Sequence, residues 1–220
     1  MGRFPQPAGH KGSLRWIQQL VNEHANILDG AIGLGRIDWR SPRADDDFAE
    51  YRDQAFLDRL NVELQTVPLA KFWPARGPQW DALGRARSGE IILVEAKAHI
   101  PEIMSSGSKA SHDSLAKIRK AFAATESALR AKPGLDWAER FYQYATRLAH
   151  AHLLHKLNRV PTRLAFVYFI GDPDLDGPTT RREWEAAITV LHEALGISGR
   201  VPGYVTDVFI DIRTPVPTAV

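Results

Sequence analysis

Ile91-Ile92-Leu93-Val94 is a run of four large apolar residues that closes directly on Glu95-Ala96-Lys97. A strand that is apolar on both faces is covered on both sides, which places it in the middle of a sheet. Side chains alternate along a strand, so Glu95 and Lys97 share a face and Ala96 points the other way. Ionisable groups at the end of a buried strand are costly unless they are paired or used. Upstream, Trp80-Asp81-Ala82-Leu83 is a second apolar run entered by an acid, and Gly84 to Gly89 supplies the turn between the two. A hairpin turning near Ser88 sets opposite each other residues whose numbers sum to about 176, which pairs Asp81 with Glu95. Two carboxylates side by side repel. A divalent metal between them is the usual remedy, with Lys97 as a third charge.

Asp81 followed, after a hairpin, by Glu95-Ala96-Lys97 resembles the signature of the PD-(D/E)xK nuclease superfamily, which has the restriction-endonuclease-like fold. Trp80 stands where the signature has Pro. The resemblance spans roughly residues 44–170. It implies a metal-dependent nuclease that hydrolyses phosphodiester bonds, in DNA rather than RNA. Asp81, Glu95 and the Ala96 carbonyl would hold Mg²⁺ or Mn²⁺, an all-oxygen set suited to those ions. Lys97 would orient or help deprotonate the attacking water and stabilise developing negative charge. In the resembled fold, a helix just before the core strands often carries one more acid. Glu50 is the first candidate, with Asp53 and Glu63 behind it. Some members place a Gln near the metal, on the helix after the Glu-x-Lys strand. Gln143 takes that position here, and Arg147 stands where the motif adds a Tyr. The alternative is a catalytically silent nuclease-like domain that binds nucleic acid or serves as a scaffold. A third reading, an unrelated α/β protein with Glu95 and Lys97 as an exposed edge pair, fails if the strand is central.

The rest of the chain sets the architecture. Leu14 to about Asp29 carries a helical apolar stripe. Phe48, Tyr51, Ala55, Leu57 and Leu60 repeat at helical spacing, and Val62 to Leu69 alternates as a first strand would. Glu102 to Ser111 is a polar loop at the mouth of the site. Helices are expected from His112 to about Arg130 and from about Asp136 to Asn158. Arg163–Ile170 reads as a buried strand reached by a helical crossover, hence parallel to the Glu95 strand. A last helix around Trp184–Leu195 and a strand over Tyr204–Ile212 follow, with a loose Pro-rich tail from Pro215. The order predicts an α/β fold. Its restriction-endonuclease-like core is a central mixed β-sheet flanked by helices, with an extra N-terminal helix and a C-terminal helix and strand. Residues 1–12 read as a flexible lead and 13–220 as one domain.

Arg76, Lys109, Lys117 and Lys120 are candidates for touching phosphates. On a helix His150 and His152 diverge, and His152 and His155 could share a face but lack an H-E-x-x-H pattern, so the three read as neutral surface or interfacial histidines. Asp172-Pro173-Asp174-Leu175-Asp176-Gly177 with Glu183 matches a calcium-loop pattern in form. A strand precedes it, however, and Thr180 with Glu183 forms a capping box, so calcium is rejected. With 220 residues, a net charge of +2 and no Cys, disulfides, zinc-thiolate sites and Cys catalysis are excluded, and nucleic acid is permitted as a partner. No run reaches membrane-spanning length and no signal-peptide core is present, so the expected location is cytoplasmic. The sequence leaves a homodimer open.

Overall fold

The computed structural model describes residues 2–213; the expected Pro-rich tail lies outside them. In chain order the elements begin with β1 (Arg3–Phe4), α1 (Gly12–Glu23), α2 (Ala25–Ile32) and β2 (Ile37–Ser41). Then come β3 (Glu50–Tyr51), α3 (Gln54–Arg59), α4 (Leu69–Phe72), β4 (Ala82–Ala86) and β5 (Ile91–Lys97). The chain continues through α5 (His112–Leu129), α6 (Tyr142–His152), β6 (Thr162–Ile170), α7 (Arg181–Ala194) and β7 (Val205–Asp211). The main sheet has the order β2-β4-β5-β6-β7. Its first three strands run antiparallel and its last three parallel, so the sheet is mixed and β5 sits at its centre. That position removes the reading of Glu95 and Lys97 as an edge pair.

The β4–β5 register runs from Ala82 opposite Val94 to Arg85 opposite Ile91, the pairing that the hairpin predicts. The turn closes through the Gly89 N–H on the Ala86 carbonyl, with Gly89 at φ +89°, a conformation favourable only to glycine. Two cores lie on the two faces of the sheet. Ile92, Val94 and Ala96 join Ala165, Val167 and Phe169 under α1 and α2. Ile91 and Leu93 join Leu164, Phe166 and Tyr168 under α5, α6 and α7. Helices on both faces explain why β5 is apolar without alternation. Glu95 and Lys97, in phase with Ile91 and Leu93, face α6. Gly84 is required in β4, because a Cβ there would lie 2.6 Å from Ile37 Cγ2 of the edge strand β2.

Several elements differ from expectation. The helix expected over Phe48–Leu60 is confined to α3, because Phe48 (φ 48°) and Asp53 (φ 53°) both take left-handed backbone. Glu50 and Tyr51 extend instead and pair with Phe4 and Arg3, so residues 3–4 of the N-terminal lead form a strand. Val62–Leu69 forms no strand. Glu63, Gln65 and Thr66 are exposed, and Asn158 Oδ1 accepts from the Thr66 and Val67 N–H groups. The sheet begins instead at β2, whose five residues sit between a Gly-rich connector and Ser41-Pro42. The first helix divides at His24, and α6 begins only at Tyr142, after Phe141 turns left-handed (φ 51°). Thr180 caps α7 in the expected box with Glu183. No helix among the described residues is long and apolar enough to cross a membrane.

Candidate active site

Four segments meet at the C-terminal end of β5. Glu95 comes from the strand itself and is 3 % exposed, with Lys97 two residues on. Asp81 enters just before β4, one step beyond the last ladder pair, and its Oδ2 accepts the Ala96 N–H at 2.7 Å. The N–H and C=O of one strand residue leave on the same side, so the Ala96 carbonyl is directed toward the Asp81 side too. Glu50 arrives because the Trp80 N–H donates to the Tyr51 carbonyl, which ties β3 to the entry of β4. Gln143 and Arg147 come from α6, one helical turn apart.

Lys97 Nζ donates to Glu95 Oε1 at 2.6 Å and to Gln143 Oε1 at 3.1 Å. Arg147 places Nε and Nη2 each 2.5 Å from Glu95 Oε2. Its Nη2 also donates to the Gln79 carbonyl at 2.6 Å, and its guanidinium lies 4.8 Å from the centre of the Trp80 ring. Gln79 Nε2 reaches Glu50 Oε2 at 2.6 Å, and Gln6 Nε2 reaches the same oxygen at 3.2 Å. One connected network therefore joins Glu50, Gln79, Arg147, Glu95, Lys97 and Gln143.

The electrostatics follow from that network. Burial pushes Asp81 well above the usual carboxylate range, and the charges of Glu95 and Glu50 add to the shift. Burial raises Glu50 as well, and Glu95 adds to it. Burial alone would raise Glu95, but Arg147 and Lys97 outweigh it and hold that carboxylate low. Burial would lower Lys97; Glu95 and Asp81 overcome it, so the ammonium stays charged. Three acids thus face two cations, and the two acids without a cation of their own carry the raised values.

Buried acids without a paired cation are costly, and a further cation here would offset that cost. Asp81 Oδ1 and Glu50 Oε1 accept no hydrogen bond among the described residues. Both are hard oxygen donors of the kind that Mg²⁺ or Mn²⁺ takes. The donor chemistry therefore fits the ion that the motif implies. Among the described residues, no three His, Asp or Glu side chains are drawn into ligand spacing. Glu95 is turned onto Lys97 and Arg147 instead.

The other candidates lie apart. Asp53 caps the loop through the N–H groups of Arg76 and Gly77, and Glu63 is exposed. Lys117 donates to the Ala70 carbonyl at 2.5 Å; Arg76, Lys109 and Lys120 are exposed, and none of the four bonds to the cluster. Asp172 accepts from Trp16 Nε1 and the Asp174 N–H, an ordinary turn. Arg147 and Gln79 are absent from the sequence-derived site. The available signal was a lone Arg four residues after Gln143, in a helix that the structure buries from Tyr144 to His152. The chain matches no protein-family model, and comparison with curated proteins and with solved structures gives no match.

His150, beneath the cluster, is a core residue. Its ring lies among Phe56, Phe72, Trp73 and Trp80, and its Nδ1 bonds the Thr146 carbonyl at 2.9 Å. Burial pulls its pKa down to about 3. The unfolded chain titrates near the ordinary value of about 6.5, so it binds the proton first and stability falls as pH drops from there toward 3. His150→Phe should flatten that fall. In urea titrations between pH 7 and 4, the wild-type midpoint should decline more steeply than the variant's. Parallel declines would contradict the assignment.

Proposed function

We propose that this chain is a metal-dependent nuclease acting on phosphodiester bonds, with DNA as the expected substrate. The observation that carries the reading is the convergence of Glu50, Asp81, Glu95, Lys97, Gln143 and Arg147 on one end of the central strand, where three acids face two cations. Mg²⁺ or Mn²⁺ held by Asp81, Glu95, the Ala96 carbonyl and Glu50 would supply Lewis-acid neutralisation of the phosphate charge. Arg147 fixes the rotamer of Glu95 through its two nitrogens on Oε2. Gln143 steadies Lys97, whose Nζ can orient a water or take part in moving its proton. Trp80, Phe166 and Tyr168 wall the inner side, which lowers the local dielectric and strengthens each charge.

The test is incubation with labelled single- and double-stranded DNA and RNA, with Mg²⁺ or Mn²⁺, for wild type and Lys97→Ala. Wild type should cut, and Lys97→Ala should be slower by roughly 100-fold or more. Absence of cutting by wild type, or undiminished cutting by Lys97→Ala, would sink the reading. One observation favours the silent alternative. Both oxygens of Glu95 already hold cations of the protein, and one of these, Arg147, stands where the motif adds a Tyr. In that reading Arg147 does the neutralising that an ion would do, and the domain binds nucleic acid without cutting it.

A further inference from the structure

A second feature, a groove, lies away from Glu95, along the free edge of the sheet. It encloses about 830 Å³ over β2 and the β4–β5 turn. Arg36, Arg40, Arg43, Arg59, Arg85 and Arg87 line it, and no Lys does. Three acids also line it: Asp29, Asp38 and Asp45. We propose that this groove binds the phosphodiester backbone of a nucleic acid strand, as an extension of the candidate active site. The proposal takes its substrate class from the nuclease reading.

The arginines divide into committed and free. Arg40 pairs with Asp38 at 2.6 Å, and Arg59 pairs with Asp46 at 3.2 Å while donating to the Arg40 carbonyl. Arg43 stands 3.6 Å from the exposed Asp45. Asp29 is turned inward, accepting from the Ile37 N–H and from Trp39 Nε1. Arg85 donates only to the Leu60 carbonyl, at 3.3 Å. Arg36 and Arg87 are exposed and make no ion pair or side-chain hydrogen bond among the described residues. With Asp46, which holds Arg59 from outside the lining, four aspartates face the six arginines, and the uncommitted arginines gather at the end by the turn.

Two further features point to phosphate. A guanidinium offers a planar fork that matches phosphate oxygens in pairs, and a lining whose basic residues are all Arg selects for that geometry over a general attraction to anions. Strand β2, which lines the groove, also leads toward the entry of β4. In the β2–β4 register, Ser41 lies opposite Leu83, two residues from Asp81, and Ile37 lies opposite Ala86 at the far end. Five strand residues cover roughly 17 Å. At about 3.4 Å of helix-axis rise per nucleotide of each strand, that length spans about five base pairs of a duplex. A strand whose scissile bond sits at Glu95 could therefore continue along β2 to Arg36 and Arg87. The plainer role for charges on an edge strand is to prevent pairing with other sheets, which needs no ligand.

The test is fluorescence anisotropy of 12- and 30-nucleotide DNA, single-stranded and duplex, in EDTA so that binding is read without cleavage. The proteins are wild type, Arg36→Glu with Arg87→Glu, the neutral pair Arg36→Gln with Arg87→Gln, and a control carrying Arg130→Glu with Arg182→Glu on distant helix ends. The Glu pair should bind roughly 10-fold or more weakly at low salt. The slope of log affinity against log salt for duplex should fall by about 2, near 0.9 for each phosphate that is no longer neutralised. The Gln pair should fall between, and the control should match wild type. Wild-type affinity in both groove variants, or an equal loss in the control, would overturn the proposal. So would competition by poly-glutamate that matches DNA charge for charge. If wild type binds through these arginines and cuts nothing, the groove stands and the nuclease reading falls. If it cuts while the groove variants bind as wild type does, the reverse holds.

Discussion

Replacing Glu95 by Ala is expected to abolish cleavage and to lower stability by about 3–5 kcal/mol, the range for removing one partner of a buried ion pair. The size of the effect comes from what is left behind. Arg147 is 6 % exposed and would retain only the Gln79 carbonyl and the face of Trp80. Lys97 would lose its closest partner as well. For a chain of this length each kcal/mol moves the melting temperature by roughly 2–4 °C, so a fall of about 10 °C is expected. Glu95→Gln, which retains one carbonyl acceptor, should fall less in stability while losing cleavage to the same extent. Thermal melts beside single-turnover cleavage assays check both. An unchanged melting temperature in Glu95→Ala would mean that Arg147 does not depend on Glu95.

Replacing Arg147 by Met should act in the opposite sense on charge. The cluster then holds three acids and one cation, so its excess rises from one negative charge to two. Without divalent ions the variant should be destabilised by about 3 kcal/mol, because Glu95 keeps only Lys97. Mg²⁺ or Mn²⁺ should restore much of the loss. An ion that binds only the folded state adds about 2.7 kcal/mol when present at 100 times its dissociation constant. Melts with and without the ion measure this directly. Recovery in Arg147→Met together with an ion effect in wild type supports a working metal site. Recovery in the variant alone supports the silent reading, with Arg147 in the ion's place. No recovery in either removes the cation site altogether.

The centre of this molecule is legible in its sequence because its constraints are local. Four apolar residues before Glu95 require a strand covered on both faces, and β5 is central. The turn residues set the β4–β5 register, and the pairs from Ala82 to Arg85 follow it. Residues 163–170 read as a parallel crossover strand for the same reason, and β6 pairs with β5 in that sense. Where the outcome depends on a few backbone angles, the pattern misleads. Glu50 reaches the cluster from a two-residue strand rather than from a helix, because left-handed residues at Phe48 and Asp53 interrupt a helical apolar spacing. Strand β2 escapes the pattern because five residues between turn signals carry too little periodicity. Arg147 cannot be placed from sequence, since its partner is 52 positions away and only the α6 packing brings them together. Its carboxylate partner is plain, and its own burial is not.

The excess of carboxylate at the end of β5 is the centre of the account, and Mn²⁺ binding measures it most directly. Titration of the metal-free protein by calorimetry, or by the resonance signal of free Mn²⁺, should find a saturable site in wild type that Asp81→Asn removes. Asp81→Asn keeps a carbonyl for the Ala96 N–H and takes away only charge, so it should remain folded. A wild-type chain that binds no Mn²⁺, or an Asp81→Asn chain that binds it equally well, would contradict the site.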